Sequence, residues 1–184
     1  MVYVFLADGF EEIEAAAPID ILRRAGLDVI TVKVGGNDKK VKGSHDIQVI
    51  ADMHESEIGS DGLEMIVLPG GGAGVENLYE SGNVQWYIGH CTMHQIPIGA
   101  ICAAPSIPAR LGYLKGVRAT AYPSFRHYLT ENGAILEEKQ KVVTDGIFTT
   151  AATAGVSTEF GLELVRVLKG PEKAKEIGEQ ILFY

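Results

Sequence analysis

Apolar positions along this chain gather into short unbroken runs, and longer stretches of helical spacing separate them. Residues 2–7 (VYVFLA), 64–68 (EMIVL) and 96–101 (IPIGAI) are apolar almost throughout. Such runs, bounded by Gly, Pro and polar turns, predict strands buried on both faces. Residues 27–34 predict a further strand, and residues 41–50, broken by Gly43-Ser44, a small β excursion. A short strand is expected over 117–122. Residues 142–144 and 147–150 flank Asp145-Gly146, the clearest hairpin signal in the chain.

Helical spacing predicts helices over residues 10–25, 73–80, 84–94, 125–131, 158–168 and 172–182. Asp8, with Glu11 three residues on, resembles a capping box for the first helix. Pro18 lies inside that helix and cannot donate to the carbonyl of Glu14, so a kink is expected near Glu14. Strands and helices alternate, which predicts a doubly covered, mostly parallel sheet. The chain reads as a single α/β domain over 1–184.

The run around the central strand changes character after Cys102. Ala103-Ala104-Pro105-Ser106 follows, small residues that permit a tight reversal, with Pro105 suited to a first helical turn. This places Cys102 where a buried strand ends and a helix begins, the geometry of a nucleophile elbow. The helix N-terminus would favour thiolate, so the sequence predicts a Cys102 pKa below that of a free thiol. A buried core cysteine is the competing reading, and the spacing does not choose between them.

Ligands of parallel sheets bind at the carboxyl ends of strands. Glu14, Gly70-Gly71-Gly72 and Cys102 all follow strand ends. Glu14 reads as a solvated helix carboxylate like Glu11 and Glu12, or as a desolvated acid–base group beside Cys102. The glycine run lacks the spacing of phosphate loops. It is either a tight turn or a source of backbone N–H groups for an oxyanion, with a second N–H from Ala103.

His90, Cys91 and His94 are neighbours on a helix, but no fourth ligand is evident and a polar helix face accounts for them, so no metal is expected. His127 reads as a surface position.

Charge and composition narrow the partners. Net charge is −8, from 16 basic and 24 acidic residues, and no basic run occurs. A nucleic-acid or anionic-membrane surface is not expected. The 2 cysteines are too few for a disulfide scaffold and favour a reducing, cytoplasmic setting. The apolar start lacks a basic n-region and reads as a first strand. No apolar run reaches membrane-spanning length.

Taken together, ADGFEEIEAAAPIDILRRAG, IVLPGGGAG, IGAICAAP, TAGVSTEFGLELV and GPEKAKEI resemble the ThiJ/PfpI superfamily. The resemblance is to the branch of the parkinsonism-associated deglycase and its bacterial relatives, and it runs nearly end to end. It implies a flavodoxin-like sandwich and a homodimer with the first helix near the interface. It places the nucleophile on Cys102, the acid that bonds its sulfur on Glu14, and the oxyanion amides on Gly71 and Ala103. A small anion pocket would involve Arg24 and His45.

The pattern departs at Tyr122, where relatives carry His, and at Ala103, where the protease-like branch carries His. A Cys–His–acid triad is therefore missing, which disfavours peptidase chemistry. Glutamine amidotransfer is disfavoured because its His-x-Glu pair is absent. The resemblance implies cofactor-free chemistry on methylglyoxal-type dicarbonyls or glycated groups. The alternatives are a redox sensor whose Cys102 oxidises to sulfinate, or a chaperone-like stress protein.

Overall fold

A computed structural model describes residues 1–184. In chain order the elements are β1 (Val2–Leu6), α1 (Glu12–Arg24), β2 (Val29–Lys33), β3 (Lys40–Lys42), β4 (Gln48–Ile50), β5 (Met53–His54) and β6 (Met65–Leu68). There follow α2 (Gly72–Glu80), α3 (Gly82–His94), β7 (Ile98–Ile101), α4 (Ser106–Arg110), β8 (Arg118–Ala119), α5 (Arg126–Glu131), β9 (Ile135–Leu136), β10 (Val142–Asp145), β11 (Phe148–Ala151), α6 (Ser157–Lys169) and α7 (Pro171–Gln180).

The main sheet runs β10-β11-β7-β6-β1-β2-β5. All its pairings are parallel except β10 with β11. Every residue of β1 is buried, because both faces are covered. Tyr3 and Phe5 join a core with residues of α2, α3, α4 and α5, whereas Val2, Val4 and Leu6 join one with α1, α6 and α7. This is the three-layer α/β sandwich expected from the alternating pattern.

From β1 the chain moves outward to β2 and β5, then returns to β6 and grows the other way. The switch between β1 and β6 falls at the carboxyl ends of these strands, where ligands of such sheets bind. The loops after β1, β6 and β7 meet there.

Several local expectations shift. Glu11, not Asp8, caps α1, accepting the N–H of Glu14 at 2.9 Å. Asp8 is engaged elsewhere, by the Lys42 N–H at 2.9 Å and the buried Lys33 ammonium at 2.8 Å. α1 continues unbroken through Pro18. The β10–β11 loop is Gly146-Ile147, one residue later than expected, with Gly146 taking the positive φ.

The strand expected over 117–122 shrinks to β8, which pairs with β9 in a separate two-stranded sheet. β11 already has β7 and β10 as neighbours, so no open edge is left for it. The segment crosses over the strand ends instead, where Thr120 N–H donates to Thr150 Oγ1 at 3.0 Å. β5, only two residues long, carries no periodic signal. No helix is long and apolar enough to cross a membrane.

Phe160 on α6 is fully buried among α1, α6 and sheet residues. Phe160→Ala should lower unfolding free energy by about 3–5 kcal/mol, read from urea denaturation. A loss below about 1 kcal/mol would show that α6 does not seal this face.

Candidate active site

Cys102 follows β7 directly and adopts φ 63. A non-glycine residue in this region carries a cost of about 1–3 kcal/mol, and surrounding structure must hold it there. Two bonds do so. Cys102 N–H donates to Ala151 O at 2.8 Å, and Cys102 O accepts from Tyr122 N–H at 2.8 Å. The first ties the elbow to β11, the second to the crossing segment. The side chain is half-buried, which sets aside the inert-core reading for this cysteine. The core cysteine is Cys91, fully buried, with burial pushing its thiol up to about 12.

Glu14 enters from the first turn of α1. It is fully buried, not solvated. Its Oε2 accepts the Gly70 N–H at 2.9 Å, while its Oε1 makes no hydrogen bond. Gly70 lies between the two reactive groups. A methyl there would collide with Glu14 Oε2 and sit 2.8 Å from Cys102 Cβ. Glycine is required at 70 for that close approach. Gly71 takes φ 95 as the chain turns into α2. No hydrogen bond within the chain uses the N–H of Gly71, while the Ala103 N–H donates to the Cys102 sulfur.

Burial pushes the Glu14 carboxyl up to about 7. The Cys102 thiol is raised too, first by burial and then by the Glu14 carboxylate, and the Ala103 N–H opposes this. This corrects the expected depression of the Cys102 pKa. The helix meant to supply it, α4, has 5 residues and begins four positions after Cys102, too short and too distant for a strong dipole. The two acids titrate as one unit. With the shared proton on Glu14, the repulsion vanishes and the carboxyl O–H becomes a donor toward sulfur.

The remaining sequence candidates divide. The Tyr122 backbone is bonded to Cys102, and the residue is 43% exposed. Arg24 and His45 do not assemble an anion pocket in this chain. Arg24 is exposed at the far end of α1 and pairs with Asp20 at 2.6 Å. His45 sits at the near end, its Nδ1 3.0 Å from Glu12 Oε2 and its N–H donating to Glu12 Oε1 at 2.7 Å. Twelve residues of helix, about 18 Å, separate Arg24 from Glu12. Glu12, expected in solvent, is buried by this pairing. That contact joins residues far apart in sequence, and no periodicity signals it. His127 lies exposed, as a surface position would.

A raised carboxyl pKa costs stability once pH exceeds the unfolded value. Below about 4.5 both states are protonated, and from there to about 7 only the native state keeps the proton, so stability falls with rising pH. Glu14→Gln removes this term. It should stabilise the fold at pH 8 relative to pH 4 by up to roughly 3 kcal/mol, measured by denaturation at both pH values. An unchanged difference would mean that Glu14 ionises freely.

The chain matches the DJ-1/PfpI family over residues 1–167. It is 36% identical to Protein dj-1beta of Drosophila melanogaster, over 97% of this chain and 95% of that protein. It is 32% identical to the glutathione-independent glyoxalase DJ-1 of Schizosaccharomyces pombe, over 94% of this chain and 93% of that one. The crystal structure of Drosophila melanogaster DJ-1beta superposes with a TM-score of 0.93 at 35% identity, covering 98% of this chain and 96% of that one. The elbow, the buried carboxyl and the sheet that joins them are thus set in a chain that belongs to the DJ-1/PfpI family.

Proposed function

We propose that this protein is a cofactor-free cysteine enzyme that converts 2-oxoaldehydes such as methylglyoxal to 2-hydroxy acids. The observation that carries the reading is the fully buried Glu14, held by Gly70 beside Cys102 with one oxygen unpartnered. A family relative named a glutathione-independent glyoxalase adds support.

The Cys102 thiol passes its proton to Glu14 as the sulfur attacks the aldehyde carbon, and Glu14 delivers that proton to the oxyanion, giving a hemithioacetal. Glu14, now a carboxylate, removes the hydrogen on that carbon to form an enediol. Return of the proton to the neighbouring carbon yields the thioester of a 2-hydroxy acid. One carbon is oxidised and the other reduced, so no external electron acceptor is needed. Water then cleaves the thioester and restores the thiol. The Gly71 N–H, free of partners within the chain, and the Ala103 N–H, set at the Cys102 sulfur, suit the oxyanion role. Deglycation of adducts formed by the same dicarbonyls would begin with the same thiolate. A carboxyl poised to about 7 serves as both donor and acceptor near neutral pH.

The redox reading uses the same geometry. The half-buried Cys102 would oxidise, and the same amides would hold the sulfinate oxygens. Steady-state turnover of methylglyoxal without added thiol supports the enzyme. Stoichiometric oxidation by peroxide with no turnover supports the sensor.

A second copy of this chain is the proposed partner. Ile13 on α1, with Ile47 and Ile50 on the β3–β4 hairpin, is exposed by 57%, 57% and 76% respectively. The hairpin isoleucines border an apolar groove with Phe10 and Ile19. Exposed apolar area of this kind marks interfaces, and the resemblance implies a homodimer there.

Cys102→Ala should abolish methylglyoxal turnover, and Glu14→Gln should reduce kcat by about 10²-fold or more. Tyr122→Phe should cost less than Glu14→Gln, because a tyrosine hydroxyl is a poor proton carrier at pH 7. If Tyr122→Phe were as inactive as Cys102→Ala, Glu14 would not be the sole proton carrier. Separately, Ile47→Glu should convert a dimer to monomer in sedimentation velocity. An unchanged mass would place any interface elsewhere.

A further inference from the structure

The outward face of α3 carries Trp86, His90 and His94 at successive i, i+4 positions. The opposite face, with Val84, Tyr87, Ile88 and Cys91, is buried. Cys91 therefore cannot join the two histidines, and the trio visible in the sequence reduces to a pair. That pair is closely set. The His90 and His94 ring centroids are 4.4 Å apart, tilted by 42°. The Trp86 ring lies flat on His90, with centroids 4.9 Å apart and planes 17° from parallel. Stacking restricts the His90 rotamer, which lowers the ordering cost of binding.

We propose that His90 and His94 form a surface binding site for a divalent transition metal of the Ni²⁺, Cu²⁺ or Zn²⁺ class. Two imidazoles one helical turn apart on one face can direct a ring nitrogen each to a common ion, as in helical His-x-x-x-His metal sites. Imidazole suits these metals and not Mg²⁺ or Ca²⁺. α3 ends at His94, with Gln95 as a left-handed cap, so the ion would sit at the negative end of the helix dipole. Water completes the coordination shell. The site is on the face of the sheet served by α3, apart from Cys102 and from the Glu12–His45 pair, and does not depend on the proposed reaction.

Trp86 is the chain's 1 tryptophan, and it touches the proposed ligand. Paramagnetic Ni²⁺ bound there should quench the whole tryptophan signal. The test is a titration of chelator-treated full-length protein with Ni²⁺, followed by tryptophan fluorescence, with Zn²⁺ as a competitor that does not quench. The expected result is saturable quenching at about one ion per chain, reversed by Zn²⁺ and not by Mg²⁺. His90→Ala and His94→Ala should each weaken binding by about tenfold or more, while His45→Ala leaves it unchanged. His94 is exposed and His90 partly buried, and circular dichroism verifies that the variants fold. Absence of saturable quenching, quenching that survives in both variants, or loss in His45→Ala would overturn the assignment.

Discussion

The burial of one carboxyl sets the terms for the rest of the site. Glu14 sits where water cannot reach it, with a single backbone N–H as partner. Ionising it there leaves a charge poorly compensated, which is why its pKa climbs to about 7. The same burial makes Cys102 resist a second negative charge beside it. Neither group is tuned alone. Above about pH 7 the pair holds one proton between them, and its position decides whether sulfur is a nucleophile.

That arrangement requires three loops to be held rigidly at one end of the sheet. The loops after β1 and β6 are bonded to each other, Glu11 N–H to Gly70 O at 3.0 Å and Gly74 N–H to Gly9 O at 3.2 Å. Gly70 then passes between Glu14 and Cys102 with no space for a side chain. Cys102 is held at φ 63 by bonds to β11 and to the segment leading into Tyr122. Strain at one residue persists because two separate elements bond to its backbone. The small sheet of β8 and β9 acquires a role here, since it anchors the segment that carries Tyr122 across the strand ends.

Much of this was legible in the chain. Unbroken apolar runs specify strands covered on both faces, and β1, β6 and β7 lie where the runs are. Abrupt changes to small residues mark the loops that meet at this end of the sheet, which is why Cys102 and Gly70 stand out in the sequence. Glu14 was not legible as a buried group, because E-E-x-E at a helix start is also what a solvated first turn looks like. Its environment is set by Gly70, fifty-six positions away. The sequence predicts a lowered Cys102 pKa because residue type cannot reveal that α4 is one short turn. The strand over 117–122 was overextended because apolar character cannot tell a sheet edge from a crossing loop. Arg24 and His45 share a charge sign, but helix rise keeps them apart.

The first turn of α1 shows how environment, not residue type, assigns roles. Glu11 caps the helix through the Glu14 N–H. Burial would raise Glu12, but the His45 ring, the His45 N–H and neighbouring backbone N–H groups outweigh it and hold Glu12 at about 2. Glu14, two residues on, finds one backbone donor and a thiol, and rises to about 7. The stability terms therefore run in opposite directions. Glu12 stabilises the fold above about 4.5, and that contribution is lost as pH falls through its native value near 2. Glu14 opposes folding above about 4.5, as its proton is lost from the unfolded chain before the native one. In the neutral range Glu12 thus holds the β3–β4 hairpin against the helix start while Glu14 stays poised to exchange a proton. The turn tolerates a destabilising acid at the reactive position because a stabilising one of the same type lies two residues before it.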